Sequence, residues 1–521
     1  MLDCRLRDVA RPRSSWFVFL TLLICYAYFF PRWADWNQNS RLDQVLAIVD
    51  QGTLSIDAYY QNTGDYAFFN GHYYSDKAPG TAFLGIPVYW VFKTLFSQAL
   101  NEQVASRLAA NSAFAATLNA SGTGLLTEKI SFFLALTFVT FFVVAVPAAL
   151  LGVLFYRVLD YFSTNEGHKL VLTLAYSLAT PAFAYANNFY GHQIAAVLLF
   201  GAFYLLFRMS HNAASVSAPT AMKPRALVLF AVGMLLSIAV ITEYPTGLIA
   251  VGLGIYALAL FKQWRTVLWM ALGGIVPLLL WGAYNFAVYG TPLTVGYEYS
   301  TLWQATHRVG FLSLTFPTWG ALLGITVSPY RGLFFLSAFL LWAIPGMLFF
   351  ARERKYRAEF WLFVWIILSF FFFNAASAMW SGGFSVGPRY LVPMLPFLAL
   401  PIIFVMNQLR TRWAKLLFGL TVLSSFALVW TETLGGQTYP QFELGPLWEY
   451  SLPHLAGGDI ARNVGMIFGL AHWASLLPLF LSLGGLMILF ILRPLPLKGT
   501  LRTTSASYTV KERALPTDQN L

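Results

Sequence analysis

Apolar runs of about bilayer length recur along this chain, separated by short polar segments. They fall near 15–31, 131–156, 169–187, 193–208, 226–242, 246–262, 266–288, 333–350, 359–378, 391–407, 414–432 and 466–492. A helix needs roughly 20 mostly apolar residues to cross a bilayer, and many of these runs approach that length. No stretch of ordinary soluble-domain size lies between them. The pattern therefore predicts an all-α polytopic membrane protein of about 12 transmembrane helices, with residues 15–492 as a single membrane domain. Residues 1–14 carry Arg5, Arg7, Arg11 and Arg13 ahead of the first run, which lacks an Ala-x-Ala exit. They are expected to be a cytoplasmic basic N-terminus before a retained signal anchor. The polar, basic stretch 493–521 is expected to be a disordered cytoplasmic tail.

Composition agrees: 58% of residues are hydrophobic and 11% charged, against about a quarter charged in soluble domains. The two cysteines, Cys4 and Cys25, exclude a disulfide framework and a cysteine metal cluster. The net charge of +11 sits in short clusters beside apolar runs, which reflects topology rather than a nucleic-acid groove.

Topology turns on one further apolar run, 80–97, which contains Pro87 and Lys93. If it crossed alone, the basic clusters at 352–357 and 410–412 would face outward, against the positive-inside rule. With 80–97 read as a juxtamembrane or re-entrant helix, residues 32–130 form the first extracytoplasmic loop and 289–332 a second long one. Cytoplasmic segments then hold 23 of the 33 Lys and Arg but only 8 of the 22 acids. An alternative with 14 spans, in which 80–97 and part of 103–126 both cross, keeps the same balance. It is less favoured because 103–126 is rich in Ala, Ser, Asn and Thr.

The loop 32–79 gathers six aspartates: Asp35, Asp43, Asp50, Asp57, Asp65 and Asp76. Acids at a membrane surface act as general bases or bind divalent cations, whereas Lys and Arg bind phosphate. Asp76-Lys77 places both chemistries side by side, although such a pair also simply solvates a loop. Asn37-Gln38-Asn39-Ser40 offers hydrogen bonds to sugar hydroxyls. Arg41 follows, as a ligand contact or a snorkelling anchor. Glu243 stands where two spans meet, and an ionisable group there is a functional candidate. His72 and His192 are acid–base or hydrogen-bonding candidates. Arg331 and Arg389 sit at outer span ends beside Gly and Pro, each able to grip a phosphate or anchor its helix. No P-loop, dinucleotide turn, HExxH or nucleophile elbow stands in a usable context. No cofactor is called for, a divalent cation at the aspartate loop is left open, and no nucleic-acid partner is expected.

The stretch Asn70-Gly71-His72-Tyr73-Tyr74-Ser75-Asp76-Lys77-Ala78-Pro79-Gly80, following a first span and an acidic outer loop, resembles the type-C (GT-C) glycosyltransferases. The resemblance is to the bacterial protein O-mannosyltransferase and aminoarabinose transferase group, whose first outer loop ends in an aromatic, an acid and Lys-Pro-Pro-Leu. Arg389-Tyr390-Leu391-Val392-Pro393-Met394-Leu395-Pro396 looks like a later motif of the same group. The likeness implies a GT-C-like fold in the inner (plasma) membrane with its site on the extracytoplasmic side. It implies transfer of a sugar from a polyprenyl-phosphate donor to a lipid, glycan or protein acceptor. Lys77 is then the phosphate contact, with Asp76 beside it; Arg331 and Arg389 are further phosphate candidates. Asn39, Arg41, Asp65, His72, Tyr74, Asp76 and Glu243 are candidates for substrate contact. Where the family carries an Asp-Glu pair after the first span, this chain has Asn37-Gln38, which leaves Asp35, Asp43 and Asp57 as alternatives for the base. The competing reading is a transporter or lipid flippase, which calls for ionisable residues at the bilayer midplane. A cavity walled by 35–80, 243–245, 297–310 and 380–390 is expected under the first reading.

Overall fold

The computed structural model describes residues 2–32, 36–121, 124–213, 225–311, 313–441 and 443–492. Asp35 and the tail 493–521 lie outside the described residues. Among the described residues seven helices are long and apolar enough to cross a membrane: Thr127–Leu159, Gly191–His211, Tyr244–Phe261, Trp264–Tyr289, Arg354–Ala376, Arg412–Leu434 and His472–Leu492. Three shorter apolar helices, Arg13–Tyr28, Ala226–Thr242 and Ala338–Arg352, match three more of the expected spans. The chain is a multi-pass, predominantly helical membrane protein.

The remaining two apolar runs are built differently from the continuous spans their hydropathy suggests. Over 391–407 the chain forms a 3-10 turn to Met394 and then the short helices Leu395–Ala399 and Ile402–Met406. Pro393, Pro396 and Pro401 cause this, since each lacks the amide donor that a helix interior requires. Over 169–187 helix Glu166–Leu178 stops and Pro181 restarts a single turn at Ala182–Tyr185. Side chains of both segments are almost entirely buried, so broken backbone here is packed in protein rather than lipid.

Helix α1 (Leu2–Tyr28) leads into helix α2 (Trp36–Leu46), whose residues Asn37 to Leu46 are all buried despite their polarity. That burial is tolerable because the side chains bond to neighbouring segments. Ser40 Oγ lies 2.8 Å from Ser75 Oγ, and Asn39 donates to the Asn62 carbonyl at 2.9 Å. Beyond α2 the loop adds the molecule's one named sheet among the described residues, a two-stranded hairpin of β1 (Tyr66–Phe69) and β2 (His72–Ser75). An all-α reading misses it. Its two-residue connection, Asn70-Gly71, has φ of 50° and 85°, the left-handed pair that a tight hairpin turn with the sheet's own twist requires. The hairpin delivers Asp76 and Lys77 directly after β2. Helix α3 (Gly80–Leu95) packs against α2 and against the membrane helix at Ile130–Thr140. At 16 residues it spans only about 24 Å, short of the hydrocarbon thickness.

Candidate functional site

A cavity of about 400 Å³ opens where α2, the hairpin end and several span ends converge. All four expected wall segments contribute: Trp36, Asn37, Arg41, Asp65 and Lys77 from the first; Glu243 to Pro245; Tyr297 to His307; and Ser381 to Tyr390. Helix Arg354–Ala376 adds Phe373 and Asn374 from its last turn, and Gly191–His211 adds His192 from its first.

Lys77 is the centre of the first charged group. Its Nζ lies 2.9 Å from Asp65 Oδ2 and 3.1 Å from Asp76 Oδ1, and all three side chains are at least nine-tenths buried. Asp65 also accepts from Trp303 Nε1 at 2.9 Å, and Asp76 from Ser300 Oγ at 2.8 Å. Burial works against the Asp65 carboxylate, but the Lys77 ammonium and the hydrogen bonds outweigh it, so Asp65 titrates below the ordinary range. For Asp76 burial wins over Lys77, with the Asp65 charge adding to it, and its carboxyl is pushed up. Burial disfavours the Lys77 charge as well, yet the two carboxylates overcome it and hold the ammonium protonated.

The second group joins Arg41, Glu243 and His192. Arg41 Nη2 donates to Glu243 Oε1 at 3.1 Å, Nη1 to the Ala78 carbonyl at 2.9 Å and to Thr81 Oγ1 at 3.1 Å, and Nε to Asn37 Oδ1 at 3.1 Å. His192 Nδ1 is 3.4 Å from the same Glu243 oxygen. This closeness needs a glycine at 191, because a Cβ there would collide with the Glu243 carboxylate and stand 2.7 Å from the Thr242 carbonyl oxygen. Arg389 lies over the rings of Tyr190 and Tyr390, at 5.3 and 5.2 Å, and faces the same cavity.

Other candidates are not brought to the cavity. Asp57 is exposed, with Oδ2 2.7 Å from His72 Nδ1 and Oδ1 accepting from the Tyr73 amide at 2.7 Å. Although partial burial opposes it, these contacts draw its pKa down. Asp43, on α2, is buried away from the cavity lining, accepting from Asn62 Nδ2 at 2.9 Å, and desolvation pushes its carboxyl well above the ordinary range. Asn39 spends its amide on Asn62, and Tyr74 packs against Tyr289 with ring centres 6.1 Å apart. Arg331 is fully buried and donates to five backbone carbonyls, of Tyr330, Ser381, Gly383, Pro440 and Gln441. It braces the loop that carries Arg389 and does not line the cavity. Among the described residues no three His, Cys, Asp or Glu side chains group as metal ligands.

Trp303, His307 and Asn374 were not singled out from the sequence. His307 Nδ1 is 2.8 Å from Ser313 Oγ, and its ring lies 4.9 Å from that of Tyr297. Burial, then the nearby Lys77 charge, lowers its pKa to about 4. The unfolded chain takes up this proton near 6.5 and the folded chain only near 4, so the contribution is complete above 6.5 and lost as pH falls between them. The unfolding midpoint in detergent is expected to drop more steeply as pH falls through that window for wild type than for His307→Gln. Parallel curves contradict a neutral His307.

No protein-family model matches the chain, and no curated protein matches it. Two solved structures are similar to it. ArnT from Cupriavidus metallidurans bound to undecaprenyl phosphate is 16% identical with a TM-score of 0.46, over 93% of this chain and 77% of that one. The apo state of the same protein is 16% identical with a TM-score of 0.43, over 91% of this chain and 74% of that one.

Proposed function

We propose that this chain is an inverting glycosyltransferase that takes a sugar from a polyprenyl-phosphate donor and passes it to a lipid, glycan or protein acceptor. The observation that carries the reading is the convergence of Lys77, Arg389 and Arg41 with buried carboxylates on one cavity at the span ends. The sequence resemblance around Asp76-Lys77 supports it. Span ends at Gly191, Thr242, Tyr244 and Ala376 all meet near this cavity, opposite the basic clusters at 352–357 and 410–412. By the positive-inside rule the cavity then faces the extracytoplasmic side of the inner membrane, and 32–130 lies wholly on that side.

In this reading the acceptor's nucleophilic atom attacks the anomeric carbon from the face opposite the phosphate. The bond from that carbon to the phosphate oxygen breaks, and polyprenyl phosphate leaves with the electron pair. Lys77 and Arg389 offset the charge gathering on the leaving oxygen. A carboxylate takes the acceptor's proton. Asp65 is committed to Lys77, which lowers its basicity, and Glu243 is committed through Oε1 to Arg41, although burial outweighs that cation and pushes the Glu243 carboxyl up. Asp43 and Asp57 do not line the cavity. We therefore assign the base to Asp35, which precedes the cavity residues Trp36 and Asn37 in sequence.

Purified protein incubated with labelled polyprenyl-phosphate sugars and membrane acceptors is expected to transfer label. Asp35→Asn is expected to lower the rate by about a hundredfold or more, and Asp57→Asn to leave it within about twofold. Equal turnover by all three proteins sinks the assignment of the base. Absence of turnover with every donor sinks the transferase reading and favours transport.

A further inference from the structure

The cavity continues inward as a cleft of about 10 Å³, bordered by His192, Glu243, Asn374, Phe370, Tyr390 and Pro393. Phe370 and Pro393 lie about one helical turn deeper than the cavity residues Asn374 and Tyr390, so the cleft is its floor. Its size suits one water-sized group.

Two buried polar atoms at this floor have no hydrogen-bond partner, His192 Nε2 and Asn374 Nδ2, and their residues are only 3% and 2% exposed. Such orphaned atoms are uncommon in folded proteins and point to a missing partner. Glu243 Oε1 accepts from Arg41 and is 3.4 Å from His192 Nδ1, and we infer that Nδ1, the ring nitrogen facing this carboxylate, carries the hydrogen. In the neutral ring Nε2 is then an acceptor, while Asn374 Nδ2 is a donor. The imidazole cannot turn away, since Tyr190 stacks on it at 5.7 Å and Tyr390 meets it edge-on at 5.5 Å.

We propose that this floor reads one hydroxyl group on the sugar of the donor, an inference that rests on the transferase reading above. A hydroxyl donates to His192 Nε2 and accepts from Asn374 Nδ2 at once. An ammonium has no acceptor for Asn374, and a methylene leaves both atoms unpaired. Arg389 bridges the geometry: it lies over Tyr190 and Tyr390, the rings that flank His192. A phosphate held by Arg389 therefore sets its attached sugar beside the cleft. The enzyme accordingly selects a neutral hydroxylated sugar over one with a deoxy or amino group at the position seated there.

The test starts with the polyprenyl-phosphate sugar that wild type turns over fastest, and compares it with its single-position deoxy and amino analogues. For one position, kcat/KM is expected to fall about a hundredfold or more in wild type. Asn374→Leu is expected to lose that factor on the parent donor and to show a parent-to-deoxy ratio near one. His192→Gln, which keeps an acceptor, is expected to retain the preference. Asn374→Asp serves if the leucine variant is not monodisperse, and its swap of donor for acceptor is also expected to collapse the ratio. Discrimination within about threefold at every position in wild type overturns the proposal, as does a ratio that survives in both Asn374 variants. Absence of turnover with any donor overturns the transferase reading first. Turnover without positional preference overturns this inference alone.

Discussion

Lys77→Met is expected to reduce transfer by about a hundred- to a thousandfold, the usual cost of removing one group that stabilises developing charge. It is also expected to destabilise the folded protein by about 3–5 kcal/mol, because it strips the counter-ion from buried carboxylates. The reason lies in the arrangement of three side chains. Asp65 and Asp76 both face Lys77 Nζ, and neither has another charged partner within ion-pair distance among the described residues. Without the ammonium, two like charges remain in a buried site with only Trp303 and Ser300 donating to them. Asp76, already pushed up by burial, takes a proton first.

These two losses are separable. Lys77→Met combined with Asp76→Asn removes the like-charge repulsion and is expected to recover much of the stability, measured as the unfolding midpoint in detergent. It is not expected to recover transfer, because the phosphate contact stays missing. If the double variant regains wild-type turnover, Lys77 has only a structural role. Wild-type transfer by the single variant contradicts both parts of the argument.

How far the sequence discloses this site can be judged from particular pairs. Arg331 and Arg389 look alike locally, each at a span end beside Gly and Pro. Only the folded chain separates them, one bonded to five carbonyls and the other facing the cavity. Asp57, Asp65 and Asp76 likewise belong to one acidic loop, and their fates diverge at the hairpin. Tyr66–Ser75 turns the chain back, so that Asp65 and Asp76 flank Lys77 while Asp57 stays at the surface. That turn was readable: Asn70-Gly71 between aromatic and β-prone residues is a strong hairpin signal, and the dominance of apolar helices masked it. The span pattern follows hydropathy well, because lipid forces every backbone group to be satisfied locally. It fails at 391–407 and 169–187, where prolines interrupt runs whose hydropathy is unaffected. Asn374 illustrates the opposite difficulty: an amide at the end of an apolar helix gives no local sign that it borders the same cleft as His192.

The second large effect is expected at Arg41. This guanidinium touches Asn37 in α2, the Ala78 carbonyl and Thr81 at the start of α3, and Glu243 between two spans, so one side chain links three separate segments. Its side chain is 2% exposed and that of Glu243 9%, which makes the pair one whose breaking costs far more than its net formation contributes. Arg41→Met is expected to destabilise the protein by about 3–5 kcal/mol. Arg41→Lys is expected to recover only part of this, since an ammonium on a flexible stem cannot reproduce the planar fork that reaches all four acceptors. Glu243→Gln keeps an oxygen for Arg41 and removes the charge, so its cost is expected to be about 1–3 kcal/mol. In the double variant Arg41→Met/Glu243→Gln no carboxylate is left buried without its cation, and the summed losses are expected to exceed the measured one by at least about 1 kcal/mol. Unfolding midpoints of the four proteins close the cycle. Strict additivity would mean that the two charges stand near each other without acting on each other, and that the link between α2 and the span end is carried by the Ala78 and Thr81 contacts alone.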